Sequence, residues 1–376
     1  MSWARVKLGE ISKISAGGDK PKVFSETRTD KCFVPIYSNG IEQEGLYGYT
    51  DKAKIKGDTI TISARGNVGT AFYRKDDYVP IVRLLSVVPN NDIVDSRYLY
   101  YLLKDKSFLS TGAAQQQITV PNISNYDIRY ENDLLMQKRI ASILSAYDDL
   151  IEVNRKQIKL LEEAAERLYR EWFIDLRFPG HETATFNADG LPEGWKKDRL
   201  DTIANIVMGQ SPSSDNYNDA KIGLPFHQGV TTYGNRFVVD NVYSAKYSKV
   251  AEQLDVLFSV RAPVGRLNIT KNKIAIGRGL SAIRHKENLQ SFLFYALKNE
   301  FYKEDIIGNG SIFSSITKEQ LYSYKLVIPT IELQKKYDEI AREIDKQILG
   351  LDSQMVQAAA ARDLLLPRLM NGEIQL

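Results

Sequence analysis

Residues 133–174 read DLLMQKRIASILSAYDDLIEVNRKQIKLLEEAAERLYREWFI and contain neither glycine nor proline. Their apolar side chains recur at the alternating spacings of three and four that form one narrow stripe on an α-helix. The chain then reaches Arg177-Phe178-Pro179-Gly180, where proline and glycine stop a helix. We predict one long helix with two seam series, in which Asn154 is the polar exception: Ile140, Tyr147, Asn154, Leu161 and Leu168, and Leu144, Ile151, Ile158, Ala165 and Trp172.

A second stretch of this kind runs from Glu332 to Met370. At 1.5 Å per residue, about 40 residues make a rod of roughly 60 Å, which a domain of ordinary size does not cover. Either each rod packs on its own domain, or the two rods pair antiparallel; we expect pairing, because it buries the stripe along its whole length. Asn154 would then fix the register or meet a helix of a partner subunit. The seam series of the second rod are Tyr337, Ile344, Leu351, Ala358 and Leu365, and Ala341, Ile348, Met355, Arg362 and Leu369.

The chain also contains an ordered internal repeat. Four groups of residues recur in the same order at offsets that drift only from 192 to 198. Chance does not easily produce four ordered matches, so the sequence indicates an ancestral duplication with small insertions. The matched groups are Trp3, Leu8, Ile11, Ile14 and Gly17 with Trp195, Leu200, Ile203, Ile206 and Gly209; Arg65, Val68 and Gly69 with Arg261, Val264 and Gly265; Gly112, Ile118, Ile123 and Ile128 with Gly310, Ile316, Leu321 and Leu326; and Gln137 with Gln334.

Each repeat has the same plan, a mixed segment with strand-like runs and turn signals followed by a long helical segment. We therefore predict an α+β fold: two tandem pseudo-repeated α/β domains separated by two long, antiparallel, coiled-coil-like helices. The predicted boundaries are 1–132 for the first domain, 133–178 for the central helical spacer, 179–330 for the second domain and 331–376 for the C-terminal helical spacer.

The composition excludes several kinds of chemistry. Of 376 residues, 43% are hydrophobic and 26% charged, as in a soluble globular protein, and no apolar run is long enough to span a membrane. Cys32 is the only cysteine and there are three histidines, so a zinc or cysteine-rich cluster is not expected. The sequence lacks a phosphate-binding P-loop and a dinucleotide fingerprint. We predict no catalytic residues, no metal site and no cofactor bound by this chain.

Positive charge is concentrated in the two mixed segments. Residues 1–132 and residues 179–330 each hold 18 Lys and Arg against 15 Asp and Glu, a net charge of +3 for each. The helical segments 133–178 and 331–376 carry −1 and −2. This partition favours two phosphate-contacting domains on a spacer with little charge.

Candidate DNA-binding residues lie in loops that bring Arg, Lys, Gln, Asn and Ser together. Arginine can fork onto guanine, and Asn or Gln can pair with adenine. Arg65 and Arg261 match between repeats and would hold the frame or the DNA backbone, whereas unmatched residues are better candidates for base contacts. The candidates are Lys20, Lys22, Tyr37, Ser38, Asn39, Arg65, Asn67, Arg83, Gln115, Gln116, Gln210, Ser211, Ser213, His227, Gln228, Arg261, Arg266 and Arg278.

The chain resembles the DNA-specificity subunits of type I restriction-modification systems over essentially its whole length. The motifs that carry the resemblance are LYREWFID at 168–175, LPEGW at 191–195, MGQSP at 208–212, LPFHQG at 224–229, SVRAPVG at 259–265, IGRGL at 276–280 and ARDLLLPRL at 361–369. The chain departs from the family where a proline-rich step often precedes the central helix; here Asn132 or Asp133 would cap that helix.

The resemblance implies a non-catalytic DNA-binding subunit with two target-recognition domains, each reading one half of an asymmetric, interrupted site in double-stranded DNA. It implies that the helices set the gap and dock two modification subunits, which bind S-adenosylmethionine and flip out an adenine. Restriction subunits would join for cleavage, and the complex would be cytoplasmic, without a membrane partner. The residues expected in the spacer and in partner docking are Ile140, Leu144, Tyr147, Ile151, Asn154, Ile158, Leu161, Leu168, Trp172, Tyr337, Ile344, Ile348, Leu351, Met355 and Leu365.

Two hypotheses from other classes remain open at this point. One is a self-contained methyltransferase or nuclease, which would need a cofactor loop or an acidic cluster that the sequence does not display. The other is a protein-interaction module built on paired coiled coils. Within the resembled family, the chain could also serve a related system in which the nuclease is fused to the methylating subunit.

Overall fold

The structure is a computed structural model that describes residues 2–104, 106, 108, 117–301, 315–374 and 376. Contacts between Cα atoms divide the chain into two compact units. Unit 1 consists of Met1–Asn154 and Ser353–Leu376, and unit 2 of Arg155–Asp352. Each of the two long helices therefore contributes one part of its length to each unit.

Unit 1 is built around three small sheets. Four strands form an antiparallel sheet in the order β2-β8-β5-β6, three form β4-β3-β7 with a parallel β3/β7 pair, and β1 pairs antiparallel with β9. The strands are β1 Trp3–Lys7, β2 Ser12–Ala16, β3 Val34–Tyr37, β4 Leu46–Thr50, β5 Thr59–Ile62, β6 Ala71–Arg74, β7 Val79–Pro80, β8 Leu85–Pro89 and β9 Asp127–Glu131. The helices are α1 Leu8–Ile11, α2 Ser96–Leu103, α3 Val120–Ser124 and the start of α4 Leu134–Phe173.

Unit 2 repeats this plan. Its four-stranded antiparallel sheet has the order β11-β19-β16-β17, five strands form β12-β14-β13-β18-β15, and β10 pairs with β20. The strands are β10 Lys196–Arg199, β11 Ala204–Met208, β12 Tyr217–Asn218, β13 Leu224–His227, β14 Tyr243–Ser244, β15 Val250–Ala251, β16 Val256–Ser259, β17 Leu267–Ile269, β18 Ile274–Ile276, β19 Leu280–His285 and β20 Lys325–Ile328. The helices are α5 Leu200–Ile203, α6 Gln290–Phe301, α7 Lys318–Tyr322 and α8 Ile331–Met370.

The cores explain why these segments form these elements. All four residues of β5 are buried, and so are all four of β16, since each is an inner strand of its four-stranded sheet. In unit 2 the aromatic residues near the end of α4 pack on the start of α8: Trp172 and Tyr337 have ring centroids 6.0 Å apart, and the Tyr337 hydroxyl donates to the carbonyl of Ala165 at 2.9 Å.

The two long helices run antiparallel in each unit. In unit 1, Ile140 and Leu144 of α4 share a core with Leu366 and Leu369 of α8, so an early part of one helix meets the end of the other. In unit 2, Tyr337 near the start of α8 meets Ala165 in the later part of α4. Antiparallel pairing is therefore confirmed. The alternative, in which each helix packs on a domain, is also partly realised, because the seam residues in each unit belong to the core of that unit's domain.

The polar exception in the seam is paired within the chain. Asn154 is 3% exposed, and its Nδ2 donates to Oε1 of Gln354 at 3.1 Å. At the beginning of α4, Asp133 Oδ1 accepts the backbone N–H of Leu135 at 2.9 Å, so Asp133 caps the helix. None of the helices within the described ranges is sufficiently long and apolar to cross a lipid bilayer.

The predicted fold class is confirmed: two repeated mixed domains and two long helices with bounds close to those expected. The predicted domain boundaries at 132, 178 and 330 stay predictions, because α4 and α8 belong to the cores of both units.

Candidate functional site

One exposed turn joins β7 to β8 in unit 1. Val82 and Arg83 in this turn have positive φ values of 51° and 61°, which is unusual for residues other than glycine, above all for a β-branched one. Their backbone N–H groups donate to Gly18 at 2.9 Å and to Gly17 at 3.0 Å. These two hydrogen bonds fix the turn to the end of β2, while the side chains of Val82 and Arg83 face solvent.

Asn39 connects this turn to a second loop. Its Nδ2 donates to the carbonyl of Val82 at 2.7 Å, and its Oδ1 accepts the backbone N–H of Ala64 at 2.7 Å. Both ends of the amide are occupied. The amide of Asn39 links the two loops, and its place among the DNA-binding candidates stays a prediction.

The loop that Asn39 holds carries an exposed arginine. Arg65 donates to Oε1 of Gln117 at 3.1 Å, and Asn67 is exposed beside it. Gly66 and Gly69 have φ values of 69° and 88°, the left-handed conformation that glycine adopts most easily. Together, residues 17–18, 37–39, 64–69, 81–84 and 117 form what we call the first loop cluster. The candidates Gln115 and Gln116 lie outside the described residues.

Other candidates of unit 1 differ in how available they are. Lys20 is exposed, with its Nζ 3.3 Å from the ring centre of Phe24, and Lys22 is exposed as well. Tyr37 is only partly exposed and lies against the guanidinium of Arg74, 3.6 Å from its ring centre. Burial raises the pKa of Tyr37, and Arg74 opposes that shift. Ser38 is partly exposed, and its hydroxyl donates to the carbonyl of Gly45 at 3.4 Å. The two lysines are therefore more accessible than Tyr37 and Ser38.

Unit 2 has a turn at the matching place, between β18 and β19, but Arg278 and Gly279 at its centre do not share the positive φ values of Val82 and Arg83. The N–H of Gly277 donates to His227 at 2.8 Å, as the N–H of Ile81 donates to Tyr37 at 2.9 Å in unit 1. A Cβ placed on Gly279 would lie 2.2 Å from the carbonyl oxygen of Gln228, so only glycine fits there. Arg278 is exposed between the two glycines.

The neighbouring segments converge on this turn. The backbone N–H of Arg278 donates to the Ser211 hydroxyl at 3.1 Å, and Val260 donates to the carbonyl of Gly279 at 2.9 Å. Residues 209–211, 227–229, 259–266 and 277–280 form the second loop cluster. Of the remaining candidates in unit 2, Gln210, Ser213, Gln228 and Arg261 are exposed, and Ser211 and Arg266 are partly exposed.

His227 does not belong among the exposed readers. Its side chain is fully buried, with Nδ1 2.8 Å from the Thr232 hydroxyl and Nε2 2.9 Å from Oδ1 of Asp240. Burial would raise the pKa of Asp240, but the hydrogen bond with His227 holds it below its usual value. The expectation that His227 contacts a base is corrected, because both ring nitrogens are engaged in the interior.

Superposing the two turns by their hydrogen bonds reveals a difference that the sequence repeat did not. Ile81 corresponds to Gly277 and Leu84 to Leu280. In unit 1 the N–H of Leu84 donates to the carbonyl of Ile81 at 3.0 Å, and in unit 2 the N–H of Leu280 donates to the carbonyl of Gly277, also at 3.0 Å. Arg83 is therefore in the second central position of its turn and Arg278 in the first. The two units present an arginine from turns with matching flanking hydrogen bonds, displaced by one residue and on a different backbone conformation.

The predicted helix residues lie on the inner stripe. The buried members pack inside this chain, as expected of spacer residues, and the role of the series in partner docking stays a prediction. Ile140, Leu144, Asn154, Trp172, Tyr337 and Ile348 are buried, and Tyr147, Ile151, Ile158, Leu161, Leu168, Ile344, Leu351, Met355 and Leu365 are partly buried.

Both helices also carry large apolar side chains that sequence reasoning missed, because they lie off the heptad seam. Their exposed fractions range from 43% to 66%, so they are accessible on the outer faces of the helices. They are Leu135, Leu150, Val153 and Leu160 of α4 and Ile340, Val356 and Leu364 of α8. Within the part of the chain that the structure describes, no group of His, Cys, Asp and Glu side chains could hold a metal ion.

Comparisons with known proteins agree with this architecture. The family model described as "Type I restriction modification DNA specificity domain" matches residues 1–163 and again residues 192–354. The chain is 33% identical over 305 residues to a putative type I restriction enzyme MjaX specificity subunit of Methanocaldococcus jannaschii, covering 78% of this chain and 72% of that protein. It is 23% identical to the type I restriction enzyme HindI specificity subunit of Haemophilus influenzae, covering 99% of each.

A solved structure shares the fold. The S subunit of a type I restriction-modification system from M. genitalium superposes with a TM-score of 0.63 over 98% of this chain and 96% of that one, at 17% sequence identity. At this identity the likeness concerns the fold alone.

Proposed function

The chain belongs to the family of type I restriction-modification DNA specificity subunits, non-catalytic proteins with two recognition domains, and from this premise we propose that its two loop clusters each read one half of a bipartite DNA site. The first loop cluster would contact one half-site and the second loop cluster the other, both in double-stranded DNA. The half-sites would differ in sequence, so the complete site would be asymmetric.

The observation that carries the proposal is the pair of turns at matching places. Each turn is fixed by backbone hydrogen bonds to two neighbouring segments, so it can present a side chain in a defined direction. Arg83 and Arg278 occupy different positions in these turns and are both exposed. A displaced arginine fork would meet guanine at a different step of the major groove, which gives each unit its own sequence preference.

Other exposed cations of the clusters would contact phosphates. Lys20, Lys22 and Arg65 are exposed in unit 1, and Arg261 is exposed in unit 2. Contacts of this kind position a protein on DNA without reading its sequence. The positive net charge of both mixed segments supports this role.

The paired helices would set the distance between the half-sites. A helix of 40 residues such as α4 or α8 has a length of about 60 Å. The seam residues pack between the helices and against the domain cores, which suits a stiff spacer better than a flexible linker.

The exposed apolar residues on the outer faces of α4 and α8 would dock two modification subunits. These partners, not this chain, would bind S-adenosylmethionine and methylate an adenine in each half-site. Restriction subunits would add cleavage. The complex would act in the cytoplasm, where chromosomal and invading DNA are accessible.

A first experiment identifies the site. Methylation-sensitive long-read sequencing of the host genome should yield one bipartite motif with a fixed gap, which disappears when the gene for this chain is deleted. Persistence of the motif after the deletion would overturn the proposal.

A second experiment tests the two turns. In a complex with modification subunits, Arg83→Ala should weaken discrimination in one half-site, and Arg278→Ala in the other, by about 1–3 kcal/mol, which corresponds to roughly 5- to 150-fold. The control is Arg5→Ala, an exposed arginine of β1 outside the first loop cluster. Equal effects of Arg83→Ala on both half-sites would contradict modular reading.

A third experiment tests the spacer. Inserting or deleting whole helical turns between residues 140 and 172, with matching changes in α8, should change the unread gap. A gap of unaltered length in a folded variant would show that the helices do not set it.

A further inference from the structure

Each recognition domain is attached to the long helices through a partly buried carboxylate: the Asp148 side chain is 30% and the Asp345 side chain 20% exposed. In unit 1, the hydroxyl of Tyr101 on α2 donates to Oδ2 of Asp148 on α4 at 2.5 Å. In unit 2, the hydroxyl of Tyr295 on α6 donates to Oδ1 of Asp345 on α8 at 3.2 Å. Tyr101 is 4% and Tyr295 1% exposed, so each bond joins a buried tyrosine to a partly buried carboxylate.

The two bonds are related by the internal repeat. Asp148 and Asp345 are separated by 197 residues, the offset that also relates Gln137 to Gln334. The tyrosines end matching sequences, Tyr98-Leu99-Tyr100-Tyr101 on α2 and Phe292-Leu293-Phe294-Tyr295 on α6. The duplication has therefore kept one bond between domain and helix in both halves.

An arginine completes each cluster, but the two arginines come from different elements. In unit 1, Arg362 of α8 pairs with Asp148, and its side chain is 15% exposed. In unit 2, Arg236 of the recognition domain pairs with Asp345 and also with Glu162 of α4 at 3.1 Å. Arg236 is 4% exposed, and Ala165 occupies the position that matches Arg362 in the repeat.

We propose that Asp148 and Asp345 are latch residues that fix the orientation of each recognition domain on the helix pair, and that the two latches open independently. This inference rests on the proposed function, since orientation matters only if the domains read half-sites at a set spacing. The first latch closes through the opposite helix, and the second closes through an arginine of its own domain. These are positioning residues: they do not touch DNA.

The chemistry of the clusters supports a rigid attachment. A carboxylate that loses part of its hydration is stabilised by hydrogen-bond donors, and here a phenol and a guanidinium supply them. Burial raises the pKa of Tyr295, so this hydroxyl stays protonated and keeps donating. Burial raises the pKa of Tyr101, and the hydrogen bond to Asp148 raises it further.

The first arm of the test needs no DNA. Hydrogen exchange of the full chain should become faster in α2 but not in α6 for Asp148→Asn and Tyr101→Phe, and in α6 but not in α2 for Asp345→Asn and Tyr295→Phe. The phenylalanine variants keep the aromatic packing, so they remain informative if an asparagine variant does not fold. Glu163→Gln is the matched control, since it removes a carboxylate from the exposed face of α4.

The second arm uses the complex with modification subunits and DNA sites that differ by one base pair in the gap. Asp148→Asn should reduce the preference for the native gap by about tenfold, because small misplacements of a positioned group cost one to two orders of magnitude. A purely structural role would lower methylation of all gap lengths equally. Arg362→Gln should act on the first half-site alone.

The outcomes separate this inference from the function on which it rests. Unchanged exchange in α2 and α6 would overturn the latches. Faster exchange with an unaltered gap preference would overturn their positioning role and leave the proposed function intact. If the unmodified complex methylates no bipartite site, the proposed function fails, and this inference fails with it whatever the exchange shows.

Discussion

Replacement of Asn39 by alanine provides a direct test of how the first loop cluster is built. The side chain accepts a hydrogen bond from the Ala64 N–H at 2.7 Å and donates one to the carbonyl of Val82, also at 2.7 Å. Ala64 is fully buried, so in Asn39→Ala its N–H would lose its partner in a place that water does not reach easily. An unsatisfied buried group of this kind costs about 1–3 kcal/mol.

This cost predicts a local opening that can be measured at one amide. If the loop opens to rehydrate the N–H of Ala64, its hydrogen exchange should accelerate by roughly 5- to 150-fold, the factor that corresponds to this free energy. The Val82 turn should open with it, and discrimination at the first half-site should fall while the second half-site is read normally. Asn125→Ala is the control, since Asn125 is an exposed asparagine of unit 1 outside the first loop cluster.

The reasoning would be refuted by unaltered exchange at Ala64 in a folded Asn39→Ala protein. A loss of discrimination at both half-sites would also count against it, because Asn39 is hydrogen-bonded to Val82, Ser63 and Ala64, all of unit 1.

Three further predictions concern the helices and pH. Asn154→Leu should raise the free energy of unfolding by about 1–2 kcal/mol in urea titrations, since an apolar side chain suits the buried seam, whereas a loss of stability would show that the Gln354 pair is needed. Tyr337→Phe should cost about 1 kcal/mol through loss of the hydrogen bond to Ala165, and no change would mean that this bond contributes nothing net. Burial lowers the pKa of His285 below 6.5. The contribution of His285 to the stability of unit 2 is therefore complete above that pH and is lost as the pH falls from 6.5 through the lowered folded-state pKa. Calorimetry across this range should show a decline in stability, and His285→Gln should weaken that decline.

The hypothesis of a self-contained enzyme and the hypothesis of an interaction module both lose ground once the family is established. The membership rests on a family model that matches most of the chain in two blocks. Those blocks coincide with the repeat that the sequence displays by itself, so the repeat is a property of the family's domain.

The sequence determined the long helices, the duplication and the fold class. A heptad series is a local pattern, and local periodicity reports directly which side of a helix will be covered. The sequence also limited the cap of the first long helix to Asn132 or Asp133, because few side chains can accept the free N–H groups at a helix N-terminus. The structure shows Asp133 in that role.

Only the tertiary structure decided which polar loop residues face inward. Asn39 and His227 resemble readers in the sequence, but their partners are brought to them by strand pairing: Val82 lies 43 residues from Asn39 and Asp240 lies 13 residues from His227. The one-residue displacement of Arg83 against Arg278 is likewise invisible until backbone hydrogen bonds align the two turns. A polar side chain can form its hydrogen bonds either with water or with protein groups in the interior. Its residue type therefore does not indicate whether the fold will expose or bury it.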